Sequence, residues 1–407
     1  MKYAHFADLH LGSWREEKMR QLSTTAFLMA MDDCIKEKVD FILFSGDMFN
    51  TSLPSLDTLK IVTKKMKELH DLGIPIYAIA GSHDFSPSGK TMLDVLENAG
   101  LLVNVCKGSV DAESKRLMLR FTTDSKTGVK ITGMVGRKGM MDRRYYENLS
   151  LEDLEREEGY KIFLFHTALT ELKPKHLENI ESQPASFLPK GFNYYAGGHI
   201  HHRTQVDLPD YGTLTYPGAL FPNNFAEIEK YSHGGFYLIS VEEGTQQIQW
   251  LPVEIVKHHA LILHCSHQAP ETVYTEIIEH LKLLPIANSL ITLRVQGTLA
   301  KGKVSDINFK GMFQELYTQK AYFIMKNTAQ LTSSEFEEIK MAEVNPEEVE
   351  EHIIKEHLQQ SSLFDKETEL RIIVNLLNIL NTAKKEGETV ITFQERISSE
   401  IEKQLML

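Results

Sequence analysis

Short apolar runs alternate with helical patterns over residues 1–255, as expected when strands are buried on both faces of a sheet. The predicted strands before residue 200 are residues 2–7, 40–44, 75–80, 161–165 and 192–196. Further β-rich segments run over residues 213–254. Helices are predicted between the first three strands, and the clearest covers residues 55–72, before Gly73 and Pro75. The pattern indicates an α/β domain.

A second pattern of strand, helix, strand, helix, strand begins after residue 256 and predicts a small α/β module. Its segments are residues 260–264, 271–283, 289–298, 304–319 and 322–327. Polar and acidic residues then suggest a linker, and further helices are expected from Pro346, with Asn345 as the cap. The predicted division of the chain is 1–255, 256–328, 329–344 and 345–407.

Two apolar stripes at helical spacing mark the end of the chain. They consist of Leu370, Ile373, Val374, Leu377 and Leu380, and of Phe393, Ile397, Ile401 and Leu405. These helices either pack on each other or on the body of the protein, or they lay an apolar face on a partner helix.

The composition is that of a globular protein, with 42% hydrophobic and 25% charged residues among 407, and the length exceeds that of a single core. The net charge of −12 argues against a uniformly basic nucleic-acid binder. However, residues 331–407 carry 17 acidic and 8 basic side chains, so most of this charge lies in the tail.

Three cysteines, Cys34, Cys106 and Cys265, stand far apart and form no Cys-x-x-Cys motif. Neither a disulfide framework nor a thiolate zinc site is therefore predicted. The first residues lack the pattern of a signal peptide, and no apolar run approaches the length of a membrane span. We expect a cytoplasmic protein with reduced thiols and no membrane segment.

Aspartate and histidine residues follow each of the five strands predicted before residue 200, where the chain turns into a loop. They are Asp8 and His10, Asp47, His83 and Asp84, His166, and His199 and His201. Each one alone is explained by turn formation or by a hydrogen-bonded histidine at a strand end. Because ligands gather beyond the carboxyl ends of strands in α/β sheets, the repeated pattern predicts a metal site.

Two carboxylates and several imidazoles without a thiolate suit Mn²⁺, Fe²⁺ or Zn²⁺. This set contains more ligands than one ion needs. Two ions about 3.5–4 Å apart can share a carboxylate and hold the attacking and leaving oxygens of a displacement at phosphorus. The donor set therefore predicts phosphoester hydrolysis.

The order and spacing of these motifs resemble those of calcineurin-like metallophosphoesterases. The matching segments are Asp8-Leu9-His10, Gly46-Asp47, Gly81-Ser82-His83-Asp84, His166 and Gly198-His199-Ile200-His201. The resemblance covers residues 1–202 and implies a sandwich of two mixed β-sheets flanked by helices.

The resemblance also implies a role for each residue of the motifs. Asp8, His10 and His201 would bind one ion, His166 and His199 the other, and Asp47 would bridge them. His83 would not bind metal but would protonate or stabilise the leaving alkoxide, a task that suits imidazole. Asp84 would orient the His83 ring.

Ser82 departs from the family pattern, which usually has an asparagine ligand of the second ion at this position. Three outcomes are open: the hydroxyl reaches the metal, a water replaces the amide, or the second ion binds more weakly. His202 has no counterpart in the motifs, and we expect it to support the ligands or lie at the surface.

Within this class, the chain resembles the SbcD-type nucleases in Ser45-Gly46-Asp47-Met48-Phe49, in residues 81–84, in the Tyr216-Pro217-Gly218 turn and in its layout. Ala219 departs from the serine that is common there. The resemblance implies a 3′ to 5′ duplex exonuclease and single-strand endonuclease for double-strand-break repair. It further implies two Mn²⁺ ions, a homodimer, a DNA groove shaped by the capping module, a nucleoid-associated location, and C-terminal helices docked on an SbcC-type ABC ATPase.

Basic residues of the catalytic domain are candidates for contacts with DNA phosphates. These are Arg137-Lys138 and Arg143-Arg144, of which Arg137 is the preferred one. A solvated charge pair is the alternative explanation. Since fold and metals do not select the substrate, two rival functions remain: a general phosphatase or phosphodiesterase, and a catalytically weak scaffold for the ATPase.

Overall fold

The computed structural model describes residues 1–86, 89–137, 139, 141–174, 180–334, 365–385 and 388–405. Its strands are β1 (Lys2–Phe6), β2 (Phe41–Ser45), β3 (Ile76–Ile79), β4 (Val103–Asn104), β5 (Gly108–Val110), β6 (Leu117–Leu119), β7 (Thr122–Thr123), β8 (Lys130–Gly133), β9 (Lys161–His166), β10 (Tyr194–Gly198), β11 (Thr204–Asp207), β12 (Thr213–Tyr216), β13 (Gly234–Glu242), β14 (Thr245–Val253), β15 (Lys257–His264), β16 (Ser289–Leu299) and β17 (Phe323–Ser333). Its helices are α1 (Glu17–Lys36), α2 (Leu56–Asp71), α3 (Met92–Asn98), α4 (Arg143–Glu147), α5 (Glu152–Arg156), α6 (Phe225–Tyr231), α7 (Pro270–Lys282), α8 (Phe309–Thr318), α9 (Lys366–Leu380) and α10 (Val390–Leu405).

Two six-stranded mixed sheets form the large domain. The first has the order β14-β13-β1-β2-β3-β4, in which β1 to β4 are parallel and β13 and β14 are antiparallel additions. The second has the order β11-β12-β10-β9-β8-β7, in which β8, β9, β10 and β12 are parallel. Parallel neighbours require crossover connections, and helices α1 and α2 provide them between the first three strands.

The two sheets share an apolar core. It contains Tyr3, Phe41, Leu43, Ile79, Ile131, Ile162, Leu164, Tyr194 and Ile239. Tyr3 of the first sheet stacks on Phe41 at 4.9 Å between ring centroids and meets Tyr194 of the second sheet edge-on at 5.6 Å. Since helices cover the outer face of the first sheet, every residue of β2 is buried, which explains its continuous apolar sequence. The predicted two-sheet sandwich is confirmed.

The predicted helix over residues 55–72 is confirmed as α2. Ser55 precedes it and accepts a hydrogen bond from the Thr58 backbone N–H at 3.2 Å. Val62, Met66 and Leu69 form its buried face. The helix therefore has the serine N-cap and the buried apolar face that its sequence predicts.

The five segments predicted after residue 256 appear as β15, α7, β16, α8 and β17, and the strands form a sheet in the order β15-β16-β17. The linker predicted over 329–344 is wrong in its first five residues, which belong to β17. Leu331 and Ser333 are buried on alternate positions, and the Thr332 hydroxyl donates to the Gly297 carbonyl at 3.4 Å. The rest of that segment, from residue 335, and the helix start at Asn345 and Pro346 lie outside the described residues.

The chain divides into two compact units. The first comprises Met1–Leu263, Glu276–Val295 and Phe309–Asn327, and it contains all the candidate metal ligands. The second comprises His264–Thr275, Gln296–Asn308 and the described part of Thr328–Leu407. In neither unit does a described helix have the length and apolar character of a membrane span.

Helices α9 and α10 pack on each other within the second unit. The Asn375 amide donates to the Gln404 side-chain oxygen at 3.0 Å. No described side chain of either helix is buried, and Leu380 is 63% exposed. The other residues of the two predicted apolar stripes are half-buried.

Candidate metal centre

Five strands of the sandwich deliver candidate ligands to one edge. Asp8 and His10 follow β1, Asp47 follows β2, Ser82 and His83 follow β3, His166 ends β9, and His199 and His201 follow β10. The Ser45 hydroxyl at the end of β2 donates to the Ala196 carbonyl of β10 at 2.9 Å, which joins the two sheets at this edge. The predicted ligands thus meet although they span almost two hundred positions.

Four of these residues have an uncommon backbone conformation. The φ angles of Asp8, His10, Asp47 and His199 are 52°, 42°, 52° and 86°, in the left-handed region. Hydrogen bonds hold two of them, because the backbone N–H of Asp8 donates to the Gly46 carbonyl at 3.2 Å and that of His10 to the Asp47 carbonyl at 2.9 Å. Backbone strain of this kind clusters at functional sites, where it aims side chains.

Asp8, His10 and His201 form one group of potential ligands, with ligand atoms within 4.8 Å of one another. His10 Nε2 lies 3.1 Å from His201 Nε2 and 3.9 Å from Asp8 Oδ1. His201 Nε2 lies 3.7 Å from the same Asp8 oxygen. This is the set that the sequence predicts for the first ion.

Asp47 lies between this group and His166. Its Oδ2 is 3.7 Å from His10 Nε2 and 3.2 Å from His166 Nε2. Asp8, Asp47 and His166 form a second group with ligand atoms within 4.8 Å. The His199 ring is next to it, 5.3 Å from the His166 ring. Asp47 therefore occupies the place where a shared carboxylate is needed.

The donors fit divalent cations. The buried His166 Nε2 meets no hydrogen-bond geometry within the described residues, although Asp47 Oδ2 lies 3.2 Å away, and two imidazole nitrogens, of His10 and His201, face each other at 3.1 Å. In the described parts of the chain, neither Asp8 nor Asp47 forms an ion pair with lysine or arginine. Buried acceptors and facing nitrogens without a protein cation are what a metal ion would satisfy.

Burial and the neighbouring charges raise the pKa of some histidines of the centre and lower that of others. Burial alone would lower the pKa of His166, but the Asp47 carboxylate raises it to about 10. Burial alone would likewise lower the pKa of His201, but the hydrogen bond that its ring donates to the Glu227 carboxylate raises the pKa to about 9. For His199, burial and the charge of His166 lower the pKa to about 4. The carboxylates of the centre thus favour positive charge on two of its rings, and divalent ions would supply that charge instead.

Backbone carbonyls fix the orientation of two rings. His166 Nδ1 lies 2.8 Å from the Ser45 carbonyl, and His83 Nδ1 lies 2.9 Å from the Asn50 carbonyl. Since a carbonyl only accepts, each Nδ1 carries the hydrogen, and each Nε2 is left for a metal ion or a proton transfer.

The expectation that Asp84 orients the His83 ring is wrong. The Asp84 carboxylate instead accepts hydrogen bonds from the backbone N–H groups of Gly81 at 2.8 Å, Asp47 at 3.0 Å and Phe49 at 3.3 Å. Burial and the Asp47 charge raise the pKa of Asp84 to about 7. Adjacent side chains in this turn face different neighbours, so Asp84 ties the loops after β2 and β3 together and the Asn50 carbonyl orients His83.

Ser82 lies in the centre, and its hydroxyl donates to Asp47 Oδ2 at 3.3 Å. The backbone N–H of His83 donates to the other oxygen, Asp47 Oδ1, at 2.7 Å. The loop after β3 therefore holds both oxygens of the central carboxylate.

Glycines allow the loops to approach this closely. A side chain at Gly81 would overlap the backbone nitrogen and the carboxylate of Asp47. One at Gly46 would overlap the His166 ring, and Gly46 has a φ of 88°. Both glycines are required by the packing of the candidate metal ligands.

Sequence reasoning missed Glu227, in the first turn of α6. Its Oε1 accepts from His201 Nδ1 at 2.9 Å, and its carboxylate also accepts from the Asn223 N–H and the Asn224 side-chain amide, both at 2.7 Å. The available signal was Asn224, a helix cap, followed three residues later by a glutamate, which resembles an ordinary helix start.

A cavity of about 320 Å³ opens beside the centre. Its wall includes Ser82, His83, Arg137, His166 and His199. The Arg137 guanidinium lies 4.5 Å from the centre of the Phe85 ring, and its buried Nε lacks a hydrogen-bond partner within the described residues. Arg143 instead pairs with Glu147 at 2.9 Å. Lys138 lies outside the described residues.

His202 lines a different cavity, of about 410 Å³, to which His201 also contributes. Its ring lies 5.8 Å from that of Tyr231. Arg203 and Trp250 share this cavity, with the guanidinium 4.7 Å from the indole ring. His202 thus lies beyond the ligand groups described above.

Residues 1–203 match the family model described as calcineurin-like phosphoesterase. The chain carries a calcineurin-like phosphoesterase domain. The strand-end ligands, the two mixed sheets and the glycine-lined loops described above all belong to this phosphoesterase domain.

Relatives of the phosphoesterase include proteins named DNA double-strand break repair protein Mre11. The one from Methanococcus maripaludis is 29% identical over 266 residues, covering 62% of this chain and 67% of that protein. The one from Methanopyrus kandleri is 28% identical over 260 residues, covering 60% of this chain and only 55% of that protein. The one from Sulfolobus acidocaldarius is 25% identical over 395 residues, covering 93% and 95%. The last match extends well beyond the phosphoesterase domain.

Proposed function

We propose that this phosphoesterase is a two-metal DNA nuclease that processes DNA ends in double-strand-break repair. The observation that carries the proposal is the meeting of Asp8, His10, Asp47, His166 and His201 in one buried cluster that is next to an open cavity. The DNA substrate is supported by the Mre11 relatives, one of which matches 93% of the chain.

Two divalent ions, which we propose to be Mn²⁺, would supply Lewis-acid activation and neutralise phosphate charge. Asp8, His10 and His201 would hold one ion, and His166 and His199 the other. Asp47 would be shared, and Ser82 would contribute its hydroxyl directly or through a water. Mixed carboxylate and imidazole donors without thiolates are compatible with Mn²⁺.

His83 is the group that we propose as proton donor to the leaving oxygen. Its Nδ1 hydrogen is used by the Asn50 carbonyl, so Nε2 is the nitrogen that can transfer a proton. His83 also lines the cavity beside the cluster. Asp84 would act indirectly, because its hydrogen bonds hold the loop that carries His83.

Arg137 would bind a DNA phosphate at the mouth of this cavity. Its guanidinium is packed on Phe85 and faces no carboxylate within ion-pair distance in the described residues. Arginine offers several N–H donors in a plane, which matches a phosphate group. The Arg137 guanidinium is held by Phe85 and has no ion-pair partner within the described residues, so it is suited to bind a substrate anion.

Arg137→Ala is expected to raise KM for a short DNA duplex about tenfold, the loss expected for a hydrogen bond to a charged group, with a smaller change in kcat. Arg143→Ala is the matched control, since that arginine is paired with Glu147, and its KM should stay at the wild-type value. Steady-state cleavage of a labelled duplex measures both constants. Equal KM values for the two variants would rule out the phosphate contact.

The proposed activity is tested with full-length protein, Mn²⁺ and labelled DNA. We expect 3′ to 5′ degradation of duplex ends and cleavage of single-stranded DNA, both abolished by a chelator and restored by added Mn²⁺. Gel electrophoresis of 3′- and 5′-labelled strands gives the polarity. Hydrolysis of small phosphodiesters without DNA cleavage would instead identify a general phosphodiesterase, and absence of any hydrolysis would favour a scaffold.

Partners of the nuclease are also proposals. The exposed side chains of Leu380 on α9 and Ile391 on α10, and the half-buried state of the remaining stripe residues, support docking on a coiled coil of an SbcC-type ABC ATPase. A two-fold homodimer, a DNA-groove role for the small α/β module and a nucleoid-associated cytoplasmic location remain predictions. Co-purification with the ATPase, lost when residues 365–407 are removed, would test the docking.

A further inference from the structure

The imidazoles of the metal centre are supported by groups of different charge. His166 Nδ1 has a neutral backbone carbonyl as its partner, at 2.8 Å, and so has His83. His201 Nδ1 has a carboxylate, that of Glu227, at 2.9 Å. Among the described Nδ1 contacts of these three rings, only that of His201 is with a full negative charge.

We propose that Glu227 is a positioning residue for His201 and that it makes the ion held by Asp8, His10 and His201 the more tightly bound of the two. The inference rests on the metal centre of the proposed function, and it does not depend on which phosphoester is cleaved. It concerns a residue outside the sequence motifs of the phosphoesterase domain.

A carboxylate behind an imidazole strengthens that imidazole as a ligand. It fixes the tautomer, because Nδ1 must carry the hydrogen, and it raises the basicity of Nε2 through its charge. His201 Nε2 is the atom that lies 3.7 Å from Asp8 and 3.1 Å from His10 Nε2. The strengthened nitrogen therefore faces the other donors of the first ion.

Glu227 is itself held in place. Beyond His201, its carboxylate accepts from the Asn223 backbone N–H and from the Asn224 side chain, both at 2.7 Å. Its side chain is only 17% exposed, so solvent weakens the pair less than at an open surface. The Glu227 side chain that orients the His201 ring is thus itself fixed by two further hydrogen bonds.

The second ion has weaker support on its side of the centre. The Nδ1 atom of His166 relies on the Ser45 carbonyl, a neutral acceptor, where that of His201 has the Glu227 carboxylate. The contrast between the two sides predicts two Mn²⁺ steps of unequal affinity.

Glu229 provides a matched control on the same helix. It lies two residues from Glu227, its side chain is 14% exposed, and it pairs with Arg294 at 2.8 Å, not with a candidate ligand. Glu227→Gln and Glu229→Gln make the same chemical change in similar surroundings. Only Glu227→Gln removes the negative charge that contacts a proposed metal ligand, His201.

The test is calorimetric titration of the full-length protein with Mn²⁺ in the absence of DNA. Wild-type protein should show a tighter and a weaker step. Glu227→Gln should weaken the tighter step by about tenfold or more and leave the weaker step in place, whereas Glu229→Gln should match wild type at both steps. Circular dichroism and thermal unfolding of the metal-free variants establish that each is folded, and Glu227→Ala, which also removes the hydrogen bond to His201, should weaken the tighter step at least as much.

Three results would overturn the inference: a single class of Mn²⁺ sites in wild-type protein, an unchanged tighter step in folded Glu227→Gln, or equal weakening by Glu227→Gln and Glu229→Gln. The last would assign Glu227 to the structure of α6 alone. Because no DNA is present, failure of the nuclease proposal would appear separately, as a protein that binds Mn²⁺ in these two steps and leaves DNA intact.

Discussion

His83→Ala is expected to lower the rate of DNA cleavage by about 10²–10⁴-fold, the usual contribution of a general acid, while Mn²⁺ still binds in two steps. The reason is that His83 lines the cavity and its Nδ1 is held by the Asn50 carbonyl, which leaves Nε2 for the proton transfer. Removing the ring removes the proton donor but none of the proposed ligands. Single-turnover cleavage of labelled duplex and calorimetric titration with Mn²⁺ measure the two quantities.

His70→Ala is the control for this variant, because His70 lies on α2 with a side chain 57% exposed. It should cleave DNA as wild type does. The structure also groups His83 with His10 and Asp47, all with ligand atoms within 4.8 Å. If His83→Ala lost a Mn²⁺ step, His83 would be a ligand and not the acid, and if it cleaved DNA at the wild-type rate it would be neither.

Asp47→Asn should abolish measurable cleavage and weaken Mn²⁺ binding by more than about 100-fold, beyond the effect of losing a residue that only supports a ligand. Asp47 Oδ2 lies within 3.7 Å of His10 Nε2 and 3.2 Å of His166 Nε2, so a single substitution removes charge from both groups. An asparagine keeps one carbonyl oxygen, which can still accept from the His83 N–H, and the fold should survive.

The measurement is again titration with Mn²⁺ and cleavage of labelled duplex, with thermal unfolding to establish that the variant is folded. Asp57→Asn, an exposed carboxylate in the first turn of α2, is the control and should behave as wild type. Loss of only one Mn²⁺ step in Asp47→Asn would mean that the carboxylate serves a single ion and is not shared.

Much of the fold follows from local sequence patterns. The strands β1, β2, β3, β9 and β10 lie within one or two residues of their predicted ranges, because each is a continuous apolar run bounded by turn residues. The short strands β4 to β8 and the helices α3 to α6 carry too few residues for a periodic signal. The end of β17 was placed six residues too early, since polar threonine and serine residues in a half-buried strand resemble a linker.

The candidate site was predictable for a different reason. Parallel strands end at the same edge of a sheet, so donors that follow successive strands must be neighbours within that sheet. The packing of two sheets then brings His166 and His199 next to Asp47. What the strand rule does not give is the direction of each side chain, and this is where the expected role of Asp84 was wrong.

The sequence by itself determined which candidate donors this protein carries and at which strand ends they stand, because residue type and apolar pattern are local properties. The tertiary structure alone decided what supports those side chains: the Asn50 carbonyl behind His83, and Glu227 behind His201, whose carboxylate raises the pKa of the His201 ring against the effect of burial. It also separated Arg137, held against Phe85 in the cavity, from Arg143, which is paired on its own helix. Hydrogen-bond partners and desolvation depend on residues that are distant along the chain, and only folding brings these together.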